Sequence, residues 1–163
     1  MFERILERIS ISKYNKNFIL KGGILLSAIF GINERSTKDI DTTIVGIDVS
    51  KEKMLKTLNE ILCINLNDGV TFDVVNINDI REESEYGGNK YSIVGKIESL
   101  KVQLEIDIST GDMVTPRKMK YKYNLIFEGR SIVINSYNLE TILAEKLETI
   151  LRRGKFNSRM KDY

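Results

Sequence analysis

The residues of this chain best placed to do chemistry are two aspartates one residue apart, Asp39 and Asp41, closing the stretch KGGILLSAIFGINERSTKDIDTT from Lys21 to Thr43. Successive strand side chains alternate faces, so positions 39 and 41 point one way while Ile40 points the other way, into a core. Two carboxylates held side by side repel each other unless a cation or a proton lies between them. Such a pair suits Mg²⁺, which takes oxygen ligands and keeps part of its shell for substrate phosphates. Gly22 and Gly23 open the same stretch. Glycine lets backbone approach a ligand closely, and the helix start beside it offers free N–H groups to an anion. A phosphate cradle and a metal-ligand pair in one short stretch outline a site for nucleoside triphosphates.

Three more positions belong to the same chemistry. In VQLEIDIS, Val102, Leu104, Ile106 and Ile108 face one way and Gln103, Glu105, Asp107 and Ser109 the other. Asp107 is the candidate to complete a metal cage or to deprotonate an acceptor hydroxyl. Glu105 shares its face and competes for that role, and a solvent-facing strand would show the same alternation. Lys146 falls at helical spacing from Ile142, Leu143 and Ile150, inside the stripe expected to pack on the core. A buried lysine is costly unless paired, so its ammonium is expected to reach a carboxylate or a phosphate; the alternative is a stem lying along the apolar face with its head in water. Lys21, just before the glycine pair, is a weaker phosphate candidate, and Ser27 is read as filling a helix interface.

Gly-Gly, a spacer and Asp-x-Asp on a strand resemble the pattern of the nucleotidyltransferase superfamily. The nearer likeness is to the AbiEii-type toxins of type IV toxin–antitoxin and abortive-infection systems. Four segments carry it in family order: FILKGGILLSAIFGI (Phe18–Ile32), STKDIDTTI (Ser36–Ile44), IDISTGD (Ile106–Asp112) and LETILAEKLETILRRGKFNSRMKDY (Leu139–Tyr163). The resemblance implies an α+β, nucleotidyltransferase-like fold of the polymerase β type, a mixed sheet flanked by helices. It implies metal-dependent transfer of a nucleoside monophosphate from an NTP to an acceptor hydroxyl, with Mg²⁺ or Mn²⁺ on Asp39, Asp41 and Asp107. The acceptor it suggests is RNA, a tRNA 3′ end included, and the biological role a growth-arresting toxin restrained by a cognate antitoxin encoded nearby. Ala144-Glu145-Lys146 resembles the family's helical motif, whose lysine contacts the nucleotide. Arg159, Lys161 and Asp162 fall in RMKD, which resembles the family's last motif, with Asp162 as a catalytic-site residue and Arg159 and Lys161 beside it to serve phosphates. Relatives carry further helix at both ends, so residues 1–163 are expected to form a single domain without those extensions, either naturally short or a fragment. The competing reading is a catalytically incomplete relative that holds a nucleotide or RNA and needs its missing part, or a partner chain.

Composition narrows the alternatives. The 163 residues contain no histidine, which removes Ser-His and Cys-His triads and histidine metal sites. Cys63 is alone, so neither an intrachain disulfide nor a cysteine zinc site can form, and it is expected to pack in the core. Hydrophobic residues at 42% and charged residues at 29% describe a globular domain rather than a disordered chain. MFERILERIS has no signal-peptide core, and the apolar stretch Ile24–Phe30 is too short to span a bilayer, so a cytoplasmic protein with no membrane partner is expected. A net charge of +2 does not announce a nucleic-acid binder. The clusters Arg117, Lys118, Lys120, Lys122 and Arg152, Arg153, Lys155, Arg159, Lys161 are either phosphate contacts or solvated faces.

The elements that must hold these groups follow from periodicity. Phe2, Ile5, Leu6 and Ile9 predict a short helix, and Phe18–Leu20 a brief extension. Ile24–Phe30, apolar nearly all round, predicts a buried helix capped by Gly31. Asp39–Val45 reads as a strand. Ser50 is placed to cap a helix with Met54, Leu55, Leu58, Ile61 and Leu62 on one stripe. Asp68-Gly69 signals a turn before a strand at Val70–Ile77. Tyr86–Asn89 reads as a loop, Tyr91–Ile97 and Lys101–Ile108 as a hairpin around Glu98–Leu100, and Ser131–Asn135 as a short strand. The segment between, with Pro116, reads as a basic loop. Asn138 caps a last helix ending at Gly154.

Overall fold

The computed structural model describes residues 1–31, 39–80, 87–110, 117–126 and 128–153, with Arg152 and Arg153 described by their backbone alone. Along these residues run helix α1 (Phe2–Ile11), strand β1 (Phe18–Lys21), α2 (Gly22–Phe30), β2 (Asp39–Ile44), α3 (Lys51–Leu62), β3 (Val70–Asp79), β4 (Gly88–Ile97), β5 (Leu100–Thr110), β6 (Met119–Asn124), β7 (Ser131–Ser136) and α4 (Leu139–Arg153). The described strands form one sheet in the order β3-β4-β5-β2-β1-β7-β6. β2 pairs parallel with β5 and β1 parallel with β7, while the other neighbours are antiparallel. The result is the expected α+β architecture with a mixed sheet.

Alternation along the central strands builds the core. Ile40, Leu104, Ile106 and Ile108 are buried from β2 and β5, and Tyr91 and Ile93 from β4. Against them lie Ile5, Leu6 and Ile9 of α1 and Met54, Leu58, Ile61 and Leu62 of α3. Each such side chain contributes roughly 1.5–3 kcal/mol when removed from water. Arg8 enters this core at 1% exposure. Its guanidinium donates to both Asp68 oxygens at 3.1 Å and to the carbonyls of Ile64, Val70 and Arg4 at 2.9, 2.9 and 3.1 Å. A charge is tolerated there because each of its donors has an acceptor.

Several sequence expectations need correction. Arg117–Asn124 is not all loop: Met119–Asn124 forms β6, pairing with β7 and burying Tyr123. Its alternation of Met119, Tyr121 and Tyr123 with lysines is a strand signal that the charge run obscures. Gly88 and Asn89 belong to β4 rather than to a loop, and the hairpin turns on Glu98 and Ser99, with Leu100 already in β5. α2 is apolar all round but only Ile24 and Leu25 are fully buried, and Phe30 is 59% exposed. Ser50 occupies the N-cap of α3 without a side-chain cap bond, whereas Asn138 Oδ1 accepts from Thr141 N–H at 2.8 Å. Cys63 is exposed at the end of α3, one residue past the buried Leu62, not packed in the core.

Candidate active site

β2 and β5 lie parallel and in register, with Asp39 beside Glu105 and Asp41 beside Asp107. Directly paired residues project from the same face of a sheet. β1 sets Lys21 opposite Asp41, and β4 sets Lys90 opposite Asp107. One level of the sheet therefore reads Lys21, Asp41, Asp107, Lys90 across four strands, with Asp39 and Glu105 on the next level. Ile40, Ile106 and Tyr91, pointing the other way, anchor the same strands in the core.

Gly22 closes the site at the end of β1. Its φ is +70°, and a Cβ there would overlap the Asp41 carboxylate, 2.6 Å from Cγ. Glycine is required on both counts, because left-handed backbone and a carboxylate against the chain each exclude a side chain. The carboxylate of Asp41 is thus held beside the first turn of α2, which begins at Gly22 and Gly23 with Lys21 as its N-cap. Thr43 on the same strand bonds Ser109 Oγ at 3.0 Å and the Tyr137 hydroxyl at 2.9 Å, tying β2 to β5 and to the start of α4.

The electrostatics are unbalanced. Lys90 Nζ lies 2.8 Å from Glu105 Oε2 and 3.3 Å from Asp107 Oδ1. Its short hydrogen bond goes to Glu105, and Asp107 Oδ1 is buried without a well-formed hydrogen bond of its own. Burial, with the charges of Asp41 and Asp39 adding to it against the pull of Lys90, pushes Asp107 up to about 6. Glu105 is instead held below the usual carboxylate range, chiefly by the Lys90 hydrogen bond. Burial works to lower the Lys90 pKa, but Glu105, Asp107 and Asp39 outweigh it and raise the net value.

Among the described residues no three Asp, Glu, Cys or His side chains already stand as a metal-holding group. The donor set nonetheless fits a hard divalent cation: oxygen-only side chains on one face and a buried Asp107 oxygen lacking a good partner. A cavity of about 830 Å³ lies elsewhere, lined by residues such as Phe2, Ile24, Tyr121 and Leu125. None of Asp39, Asp41, Glu105 and Asp107 lines it.

The remaining candidates divide. Lys21 Nζ lies 3.3 Å from Glu145 Oε1 and 5.5 Å above the Tyr137 ring, so α4 is tied to the Lys21 end of the row. Lys146 follows Glu145 and is half-buried, not buried. Of its expected stripe, Ile142 is buried while Leu143 is 56% exposed. The less exposed side of α4 carries Thr141, Ile142, Glu145, Lys146, Thr149 and Ile150, and its leucines Leu143, Leu147 and Leu151 face outward. Ser27 Oγ is buried without a hydrogen-bond partner among the described residues, and Ser27 lines the cavity of about 830 Å³. Lys120 and Lys122 are exposed on β6, an edge strand, where lysines discourage pairing with another sheet. Asp162, with Arg159, Lys161 and Lys155, lies outside the described residues, as do Gly154 and Pro116.

Lys90 is the site residue that the sequence reading missed. A three-residue turn over Glu98–Leu100 would set Tyr91 opposite Asp107; the two-residue turn sets Lys90 there. One residue of register moves every side chain to the other face. The signal was available in the alternation of Tyr91, Ile93 and Gly95, which leaves Lys90 and Ser92 on the acidic side.

A family model described as nucleotidyl transferase AbiEii toxin, type IV TA system, matches residues 4–163. No curated protein matches the sequence significantly. Among solved structures, JHP933 from Helicobacter pylori is 18% identical with a TM-score of 0.53, over 90% of this chain and 53% of that one. A second H. pylori protein, designated a nucleotidyltransferase, is 18% identical with a TM-score of 0.51, over 90% of this chain and 54% of its own. These likenesses show a shared fold, and the chain spans about half the length of either structure.

Proposed function

We propose, from the premise that this chain belongs to the AbiEii nucleotidyl transferase toxin family, that its acidic row is the centre of a metal-dependent nucleotidyltransferase. The observation that carries the reading is the register of Asp41 with Asp107, beside Gly22 and with one buried Asp107 oxygen poorly partnered. Asp39 and Asp41 would hold Mg²⁺ or Mn²⁺, and Asp107 would close the set from the neighbouring strand. Bound there, the cation would neutralise charge on the triphosphate and on the transferring group. Backbone N–H groups at Gly22 and Gly23 face the anionic substrate, and Lys21 and Lys146 supply positive charge beside it. An acceptor hydroxyl attacks the α-phosphorus; the new O–P bond forms as the bond to the β-phosphate oxygen breaks, and pyrophosphate leaves. In the alternative arrangement, with the cation on Asp39 and Asp41 only, Asp107 would instead take the hydroxyl proton. Catalysis of this kind rests mainly on positioning and charge neutralisation.

The acceptor proposed is RNA, with tRNA the first to try, and membership of a toxin family of type IV toxin–antitoxin systems supports a cognate antitoxin as the partner. The test is Mg²⁺- or Mn²⁺-dependent incorporation of labelled nucleotide into RNA. Asp39→Asn and Asp41→Asn should each lower it at least about 100-fold, beyond the usual cost of disturbing a ligand's supporting partner. Wild-type incorporation in both variants would remove the assignment.

A second reading has an observation of its own. The chain spans about half of the solved structures it resembles, and among the described residues the carboxylates do not already stand as a metal cage. On that reading the domain binds nucleotide or RNA and needs further chain, or a partner, for turnover. Cation-dependent nucleotide binding without incorporation would select it.

A further inference from the structure

Lys90 holds a place that the proposed chemistry has to account for. Its ammonium stands 2.8 Å from Glu105 and 3.3 Å from Asp107, on the strand directly opposite Asp107. Two tethered partners at these distances make it a fitted counter-charge rather than a passing surface contact. It is a cation set against two members of the carboxylate row, and a divalent ion drawn to Asp107 must contend with it. Two cations cannot be held by one carboxylate oxygen at short range without strong repulsion.

We propose that Lys90 is a competing internal cation, which raises the divalent-ion concentration needed to load the site and withdraws from Asp107 when the metal arrives. This rests on the reading of Asp39, Asp41 and Asp107 as metal ligands and adds a positioning residue to it. Side-chain geometry allows the withdrawal: Lys90 is tethered by a flexible four-carbon stem, its side chain is 30% exposed, and Glu105 is a second carboxylate to which it stays bonded. Register gives the arrangement specificity. Lys21, at the other end of the same level, is tied to Glu145 on α4, whereas Lys90 pairs with Glu105 and Asp107 of the row itself. The device sets a threshold: the row stays compact at low divalent ion and is exchanged into a loaded form at high divalent ion.

The test is Mn²⁺ titration of the whole chain by calorimetry, without nucleotide, paired with thermal midpoints in EDTA and in Mg²⁺. Lys90→Met keeps the stem and removes the charge. It should bind Mn²⁺ roughly tenfold tighter than wild type, in the range of ordinary coupling between two sites. It should also melt lower than wild type in EDTA and gain more from Mg²⁺. Lys90→Arg, which keeps the charge, should stay near wild-type affinity. If Lys90→Met folds only with Mn²⁺ present, that supports the inference, and Lys90→Gln then supplies the affinity. Equal or weaker Mn²⁺ binding in Lys90→Met and Lys90→Gln, with wild-type binding lost in Asp41→Asn, overturns the role of Lys90 and leaves the metal site standing. No specific Mn²⁺ binding in either wild type or Lys90→Met overturns both.

Discussion

Arg8 and Lys90 are both cations set among oxygen acceptors, and the molecule treats them in opposite ways. Around Arg8 the account closes: both Asp68 oxygens and three carbonyls accept from one guanidinium, and its charge lies 5.0 Å from the Phe72 ring. Burial pushes Asp68 up, but the Arg8 hydrogen bonds and charge bring it below its ordinary value. Around Lys90 the account stays open. Asp39, Asp41, Glu105 and Asp107 share one face, Lys90 reaches two of them, and Asp107 is driven up to about 6. A closed network is what a fold needs to bury charge; an open one is what a site needs to recruit a cation.

The largest effect that can test this contrast is on stability at Arg8. Arg8→Met keeps much of the volume and leaves the Asp68 carboxylate and the Ile64 and Val70 carbonyls without their donor. Breaking a buried pair from one side costs about 3–5 kcal/mol, and urea unfolding should show a loss of that size. Asp107→Asn should show no loss, or a gain, because burial and the neighbouring carboxylates disfavour its charge. Arg8→Met unfolding at the wild-type midpoint, or Asp107→Asn as damaging as Arg8→Met, would break the comparison.

Each region also contains a glycine with a left-handed backbone, and these sharpen it further. Gly22 has φ +70° with Asp41 where a Cβ would go, whereas Gly69, following Asp68, has φ +67° and nothing within 4 Å. Left-handed strain alone costs about 1–3 kcal/mol for a residue other than glycine. Gly69→Ala should show only that. Gly22→Ala adds displacement of the Asp41 carboxylate, so it should lose more stability and should also abolish nucleotide incorporation. Equal stability losses, with incorporation intact, would mean that Asp41 moves aside freely and is not fixed by the turn.

Legibility in the sequence followed how local each cause is. Asp39, Asp41 and Asp107 were readable because a strand's period of two fixes faces within a few residues. Their convergence needed the pairing of β2 with β5; the family resemblance implied that Asp107 joins the pair, but neither it nor periodicity gave the parallel direction. Lys90 was lost to one residue of turn length, and β6 to lysines that hid its alternation with tyrosine. α4 shows a third limit: the spacing of Ile142, Leu143, Lys146 and Ile150 defines a helix, but Leu143 faces outward and Lys146 is half-buried. Apolar periodicity alone did not say which side of α4 is covered. Arg8 was unreadable for the same reason, since its acceptors come from Asp68 and the carbonyls of residues 64 and 70, remote in sequence.

The smallest effect is also the most specific to the open region, and it appears as a pH dependence. Asp107 has its pKa raised from 3.8 to about 6 in the folded chain. Between those values the native state keeps a proton that the unfolded state has released, so unfolded chains bind fewer protons and stability falls as pH rises through that window. Below it both states are protonated, and above it both are ionised, so the Asp107 contribution is flat on either side. Glu105 and Asp68, whose pKa values are lowered, act with the opposite sign and lose stability as pH falls. The raw curve therefore mixes both, and the informative quantity is the difference between wild type and Asp107→Asn in EDTA. Asn cannot ionise, so the variant should gain on wild type progressively from about pH 4 to about pH 6 and hold a constant advantage above that. Adding Mg²⁺ at pH 7 should shrink the advantage by favouring the ionised row in wild type. Parallel stability curves across the window would show that Asp107 ionises in the fold as it does in the unfolded chain, and that the acidic row is as well compensated as Arg8 and Asp68.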